Sequence, residues 1–191
     1  MSSFSEVISR RMLYFMSPQM DIYKHIAERV EGQKVIDIGF GMGFGTLQLT
    51  STAGEVAGVE FDREAVAFAR GSIPGIRWEW GDISRGIHYL GSDYDAALLI
   101  EVLEHVSDWQ LALVHVNDIL KPGGLLYISA RNANADLRKN DLHEREWTAE
   151  QFKNALGAYF KEVHLYDYQL KVEQDIDTRQ TPLVAIARKE A

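Results

Sequence analysis

Between Lys34 and Leu49 the chain reads KVIDIGFGMGFGTLQL, in which Gly39, Gly41, Gly43 and Gly45 alternate with side chains between an apolar run and a helix-like segment. Alternating glycines let a ligand approach the backbone and admit positive φ without strain. The helix that follows presents unpaired N–H groups to the ligand. Val35, Ile36 and Ile38 supply the buried strand before the turn. The spacing is not that of the dinucleotide fingerprint G-x-G-x-x-G: from Gly39 the last glycine would fall on Phe44, and from Gly41 on Thr46. A second short strand, EVAGVE from Glu55 to Glu60, ends in a carboxylate roughly twenty residues past the glycines, where nucleoside-binding α/β folds place the acid that accepts bonds from both ribose hydroxyls. Glu60 is the candidate for that role. Asp62 is the fallback, and its position before Arg63-Glu64 equally suits a helix N-cap.

Two histidines stand where a proton acceptor would be useful, imidazole being the side chain that titrates close to neutral pH. His105 follows Glu101-Val102-Leu103-Glu104 just beyond a predicted strand, at the carboxyl edge of a sheet, where ligands bind in open α/β folds. His143 lies in NDLHEREWT, within the polar stretch Arg131 to Trp147. The competing readings are a brace for the turn at His105 and a solvated loop residue at His143. His88, His115 and His164 fall at ordinary helix or strand positions, where packing or surface roles are expected.

With these residues in view, the chain resembles the class I S-adenosylmethionine (SAM) dependent methyltransferases of the small-molecule type. Four blocks match in the family's order over Lys34 to Ser129: VIDIGFGMGFG, GVEFD, WGDI at Trp80 to Ile83, and YDAALLIEVLEHV followed by ILKPGGLLYIS. The resemblance implies that Asp37, Gly39, Phe40, Gly41 and Gly43 form the cofactor turn and that Glu60 binds ribose. It further implies that Asp82 accepts from the adenine amino group, with Phe61 and Ile83 flanking the ring, and that backbone near Gly39 and Glu101 holds the methionine part. Phe40 departs from the family, where many relatives carry a small residue, and is expected to change how tightly the cofactor is enclosed. Near the N-terminus Arg11 and Tyr14 are expected to close over the cofactor and meet its carboxylate.

The elements that must position these residues alternate. A helix is expected over Pro18 to Val30, strands near 34–38, 55–60, 75–80, 94–100 and 124–130, and helices near 44–52, 63–70, 109–120 and 148–156. Such alternation predicts a doubly wound, Rossmann-like, mainly parallel sheet covered on both faces. FKEVHLYDYQL and TPLVAIAR read as an antiparallel pair at its edge, which gives the family's seven strands. Lys121-Pro122-Gly123-Gly124 is expected to stop the fourth long helix, and the stretch from Ser84 to Ser92 shows no strong helix. Thr148 and Gln151 form a capping-box pattern that opens the last helix.

Composition narrows the function. At 191 residues the chain is read as one domain, residues 1–191, with 1–30 as an N-terminal helical cover and 131–147 as a lid or acceptor wall. No run approaches the roughly eighteen apolar residues of a membrane span, and the N-terminus lacks signal-peptide organisation, so a cytoplasmic location is expected. The formal charge of −8 and the scattered Lys and Arg disfavour nucleic acid. The absence of cysteine removes disulfides, thiolate metal sites and the covalent route to methylating carbon 5 of cytosine. Asp136, Asp141, His143, Glu144 and Glu146 cluster in sequence but read as a solvated loop, so no metal is expected. The expectation is methyl transfer from SAM to a small-molecule acceptor at oxygen, in a sugar-containing compound. The rivals are an N-methyltransferase of the same fold and a binding protein that keeps the pocket without the chemistry.

Overall fold

The computed structural model describes residues 18–135 and 144–191. Helix α1 (Pro18–Ala27) leads into strand β1 (Lys34–Ile38), and the chain continues through α2 (Phe44–Leu49), β2 (Glu55–Glu60), α3 (Arg63–Ser72) and β3 (Arg77–Trp80). Two single 3-10 turns, Ile83–Arg85 and His88–Leu90, replace a crossover helix before β4 (Tyr94–Ile100). A third, Leu103–His105, precedes α4 (Trp109–Ile119) and β5 (Leu120–Ala130). Helix α5 (Ala149–Gly157) and strands β6 (Lys161–Tyr166) and β7 (Leu183–Arg188) complete the described elements.

The seven strands form one sheet in the order β3-β2-β1-β4-β5-β7-β6. Strands β3 through β5 run parallel, while β7 pairs antiparallel with both β5 and β6. The chain winds outward from β1 to β3 and then crosses back to β4 on the other side of β1. That reversal leaves a crevice beyond the carboxyl ends of β1 and β4, the place where open α/β sheets bind ligands.

Period-two alternation in the central strands sorts the core into two layers. Ile36 and Ile38 join Ala97, Leu99, Leu113 and Phe152 on the α4/α5 face. Val35 joins Leu98, Ile22, Ile26 and Leu49 on the face covered by α1, α2 and α3. Asp37 shares the parity of Val35 and is therefore driven into that second layer, where it is 0 % exposed.

Several expected boundaries move. Helix α1 stops at Ala27 rather than Val30, α2 stops at Leu49, and β3 begins at Arg77. The Lys121-Pro122-Gly123-Gly124 segment does not end the helix, which already stops at Ile119; it lies within β5, at a break in register between Tyr94 and Ala96 of β4. Its Gly123 has a φ of 75°, so the turn chemistry is spent on an irregularity inside the strand. The capping box at Thr148 is formed in both directions, Thr148 Oγ1 accepting from Gln151 N and Gln151 Oε1 accepting from Thr148 N.

Candidate functional site

The crevice is a cleft of about 630 Å³, within the range of small-molecule sites. Gly39 forms its floor beside Ile38 and Val59. Gly39 has a φ of 78°, and a Cβ there would fall 2.4 Å from Cγ2 of Val102. This glycine is therefore demanded both by backbone conformation and by the close approach of the β1 and β4 ends. Gly41, with a φ of 58° and open space around it, is demanded by conformation alone.

The other two glycines also answer to packing: Gly43, whose φ of 83° is itself a glycine conformation, and Gly45 both face aromatic rings beneath the turn. A Cβ on Gly43 would meet the Trp78 ring at 2.8 Å, and one on Gly45 would meet the Tyr23 ring at 2.4 Å. Phe40 is buried away from the cleft: its ring lies 4.4 Å from that of Trp78 between centroids and fills the gap above Gly58. Its size is thus absorbed by the missing side chain of Gly58 rather than spent on enclosing the cleft.

Glu60 lies on the wall with both carboxylate oxygens engaged once, Oε2 by Gly41 N at 2.8 Å and Oε1 by Asp62 N at 2.9 Å. Each oxygen keeps acceptor capacity for a hydroxyl. Asp62 performs the helix-capping role, accepting from Glu64 N and Ala65 N at the start of α3. Asp82, Ile83 and Ser84 form the next part of the wall. Asp82 also caps its own turn, its Oδ1 accepting from Ser84 N at 3.0 Å and Ser84 Oγ at 2.6 Å, with Arg85 Nε 3.3 Å from Oδ2. Phe61 stands at the rim, 66 % exposed, so it is not core. Its carbonyl accepts from Trp80 Nε1 at 2.7 Å, and the Arg63 guanidinium covers the Trp80 ring at 3.8 Å.

Across the cleft stands the turn after β4. Glu101 has a φ of 57°, unusual for a residue with a side chain. Ser129 accounts for it: Ser129 Oγ accepts from Glu101 N at 3.0 Å and donates to Glu101 Oε1 at 3.1 Å. Burial pushes the Glu101 carboxyl up, and hydrogen bonds from Ser129 and Gln19 with the charge of Arg131 oppose that shift. Glu104 is completely buried, and neither carboxylate oxygen has a hydrogen-bond partner among the described residues. Burial first and the nearby Glu101 second push it up to about 8, only partly offset by the neighbouring backbone N–H groups of Glu104 and Arg131, which stand outside hydrogen-bond geometry, and by the Arg131 charge. His105 is exposed and lines the same wall with Val106, Ser107 and Asp108.

The described ends of the Arg131–Trp147 stretch are anchored beside this wall. Glu144 N and Arg145 N donate to the Glu104 carbonyl at 2.8 and 3.3 Å, and Arg131 Nε lies 3.2 Å from Glu146 Oε1. Trp147 meets Trp109 edge to face at 4.8 Å, with Arg145 over both rings. The candidate residues His143, Arg11 and Tyr14 lie outside the described residues, as do Asp136 and Asp141. Among the described residues no group of three or more His, Asp or Glu side chains is placed to hold a metal ion.

The structure brings Gly39, Glu60, Phe61, Asp82, Ile83, Glu101 and His105 to one cleft from separate parts of the sequence. Asp37, Phe40, Gly41 and Gly43 lie in or beneath the turn but not on the cleft surface. Sequence reasoning missed Ser129, Glu104, Tyr23 and Gln19, whose roles depend on strand neighbours and on a helix distant in the chain. The signal for Ser129 was its place at the end of β5, opposite Ile100.

Comparison with known proteins bears on the family and the fold. Residues 36–128 match the methyltransferase domain family. A probable SAM-dependent methyltransferase of Mycolicibacterium smegmatis is 26 % identical over 140 residues, covering 71 % of this chain and 54 % of that protein. A ubiquinone biosynthesis O-methyltransferase of Bordetella avium is 25 % identical over 129 residues, covering 64 % of this chain and 53 % of the relative. The chain thus spans about half the length of these relatives. The SAM-bound structure of CalS10, an amino pentose methyltransferase from Micromonospora echinaspora, superposes with a TM-score of 0.75 at 16 % identity, covering 99 % of both chains. The family match, the similarity to these SAM-dependent methyltransferases and the shared seven-stranded fold identify residues 36–128 as a methyltransferase domain of the class I SAM-dependent kind.

Proposed function

We propose that the protein transfers a methyl group from SAM to a small-molecule acceptor at oxygen, in a sugar-containing compound. One observation carries this reading: a single cleft has Glu60 and Asp82 on one wall and His105 with Asp108 on the wall opposite. The residues present suit the cofactor. Glu60 retains acceptor capacity for two hydroxyls, the turn at Gly41 is open, and Asp82 and Ile83 offer a carboxylate beside an apolar surface. When bound, SAM supplies a methyl group already activated on a sulfonium.

The protein's contribution is then positioning and proton management. Orientation of two reactants is worth up to about 7–11 kcal/mol. The Glu60 and Asp82 wall fixes one reactant, and the His105–Asp108 turn faces the other. A hydroxyl acceptor must lose its proton, and the His105 imidazole is the group on that wall suited to take it. His143, Arg11 and Tyr14 belong to this reading as a second base and as contacts to the cofactor carboxylate. The names of the ubiquinone O-methyltransferase and of the amino pentose methyltransferase support oxygen and a sugar, respectively.

N-methylation is the second reading, because Glu60, Asp82, Glu101 and Asp108 give the cleft a carboxylate-rich lining that suits an amine. The test is turnover with matched hydroxyl and amine acceptors, sugars included, in wild type and His105→Ala. The oxygen reading expects hydroxyl turnover that falls about 10²- to 10⁴-fold in the variant, with SAM affinity unchanged. Turnover of amines alone, indifferent to His105→Ala, would establish the second reading instead.

A further inference from the structure

The geometry points to Tyr23 of helix α1 as a positioning residue for cofactor capture, its hydroxyl holding Asp37 beneath the glycine turn as the charge that draws in the cationic amino-acid end of SAM. The inference rests on placing that end of the cofactor over the turn.

Asp37 is fully buried, so it acts through the turn rather than by contact across the cleft surface. Its two oxygens accept from two hydroxyls on two different helices. Tyr23 Oη of α1 donates to Oδ1 at 3.1 Å, and Thr46 Oγ1 of α2 donates to Oδ2 at 2.6 Å. Both donors favour the ionised carboxylate. The titratable group facing them from β2 is Glu60, whose charge opposes ionisation. Burial is the largest influence and pushes Asp37 up to about 7, against the pull of Thr46 and Tyr23. Loss of either hydroxyl therefore shifts Asp37 toward its protonated, uncharged form.

Tyr23 is built into this place rather than passing by it. Its ring is 7 % exposed and occupies the volume that a side chain on Gly45 would take. Four residues before it, on the same face of α1, Gln19 hydrogen-bonds the carboxyl of Glu101 on the other side of the turn. One helix thus touches both acids that bracket Gly39, which gives α1 a reason to be there beyond covering the sheet.

Calorimetric titration with SAM and with its product S-adenosylhomocysteine between pH 6 and 8.5 tests the inference on the full chain. Tyr23→Phe keeps the ring over Gly45 and removes only the hydroxyl. Wild-type affinity is expected to weaken as pH falls through the neutral range. Tyr23→Phe should weaken binding about three- to tenfold at pH 7 and move the inflection to higher pH. Thr46→Val should move it the same way without touching the aromatic packing, and Asp37→Asn should bind weakly with a flat profile. Superimposable profiles for wild type, Tyr23→Phe and Thr46→Val, or a flat wild-type profile, would overturn the inference while leaving the cofactor site standing. Failure of the wild type to bind either compound at any pH would overturn the cofactor placement and the inference with it.

Discussion

Glu60 Oε2 accepts a hydrogen bond from Gly41 N at 2.8 Å, so the acid at the end of β2 and the glycine turn after β1 are one hydrogen-bonded unit. The bond both shapes the turn and aims the carboxylate. Glu60→Ala should therefore weaken SAM binding by more than the loss of a ribose contact, on the order of 10²-fold, since bonds to a charged acceptor are worth about 1.5–3 kcal/mol. Glu60→Gln, which keeps one acceptor oxygen, should lose about tenfold. Equal affinities of wild type and Glu60→Ala in calorimetry would remove Glu60 from the site.

The loop carrying Asp82 and Ile83 is tied to α4 by His115, whose Nδ1 lies 2.6 Å from the Ile83 carbonyl oxygen. A carbonyl can only accept, so the bond requires a proton on Nδ1. His115→Ala frees the loop; His115→Asn keeps a donor near the same point. The expected result is a three- to tenfold rise in KM for SAM in the alanine variant, about 0.7–1.4 kcal/mol for one such bond, with kcat nearly unchanged and substantial recovery in the asparagine variant. A loss confined to kcat would show that His115 serves something other than the adenine wall.

Gly41 and Gly45 look alike in the sequence but should respond differently to alanine. At Gly41 there is open space, so only positive φ is penalised, at roughly 1–2 kcal/mol. At Gly45 the new Cβ would lie 2.4 Å from the Tyr23 ring, and overpacking of this kind costs about 1–3 kcal/mol. Chemical denaturation of the double variant Tyr23→Ala/Gly45→Ala separates the two effects. The cost of Gly45→Ala should largely vanish once the ring is gone, whereas that of Gly41→Ala should persist in the same background.

What could be read in advance follows the range of the forces involved. Strand and helix order is set by local periodicity, and the motif acids Glu60 and Asp82 sit at strand ends, so both were legible. Helix ends were legible where a side chain closes them, as at Asp62 and Thr148. The start of β5 was not legible, because the register break against β4 lets the strand begin at Leu120, before its glycines. The packing demands on Gly43 and Gly45 come from Trp78 and Tyr23, which arrive from outside the turn. Glu104 sat in plain view beside His105. Its burial follows from the turn after β4 folding inward, which no local pattern announces.

Glu104 makes the sharpest stability prediction. Its carboxyl is pushed from 4.5 to about 8, chiefly by burial. A folded-state value above the unfolded one means that the folded protein holds this proton more tightly. The contribution to stability is complete below about pH 4.5 and is lost as pH rises through about 8. In that window the group alone lowers the unfolding free energy by about 1.4 kcal/mol per pH unit. Glu104→Gln matches the protonated side chain in volume and cannot ionise. The variant should equal wild type near pH 5 and exceed it by about 2–4 kcal/mol near pH 9, read from urea unfolding at both values. Asp37 contributes a slope of the same sign up to about pH 7 in both proteins and cancels in the difference. A pH-independent difference between the two proteins would mean that Glu104 is ionised throughout, with the positive charge of Arg131 outweighing its burial.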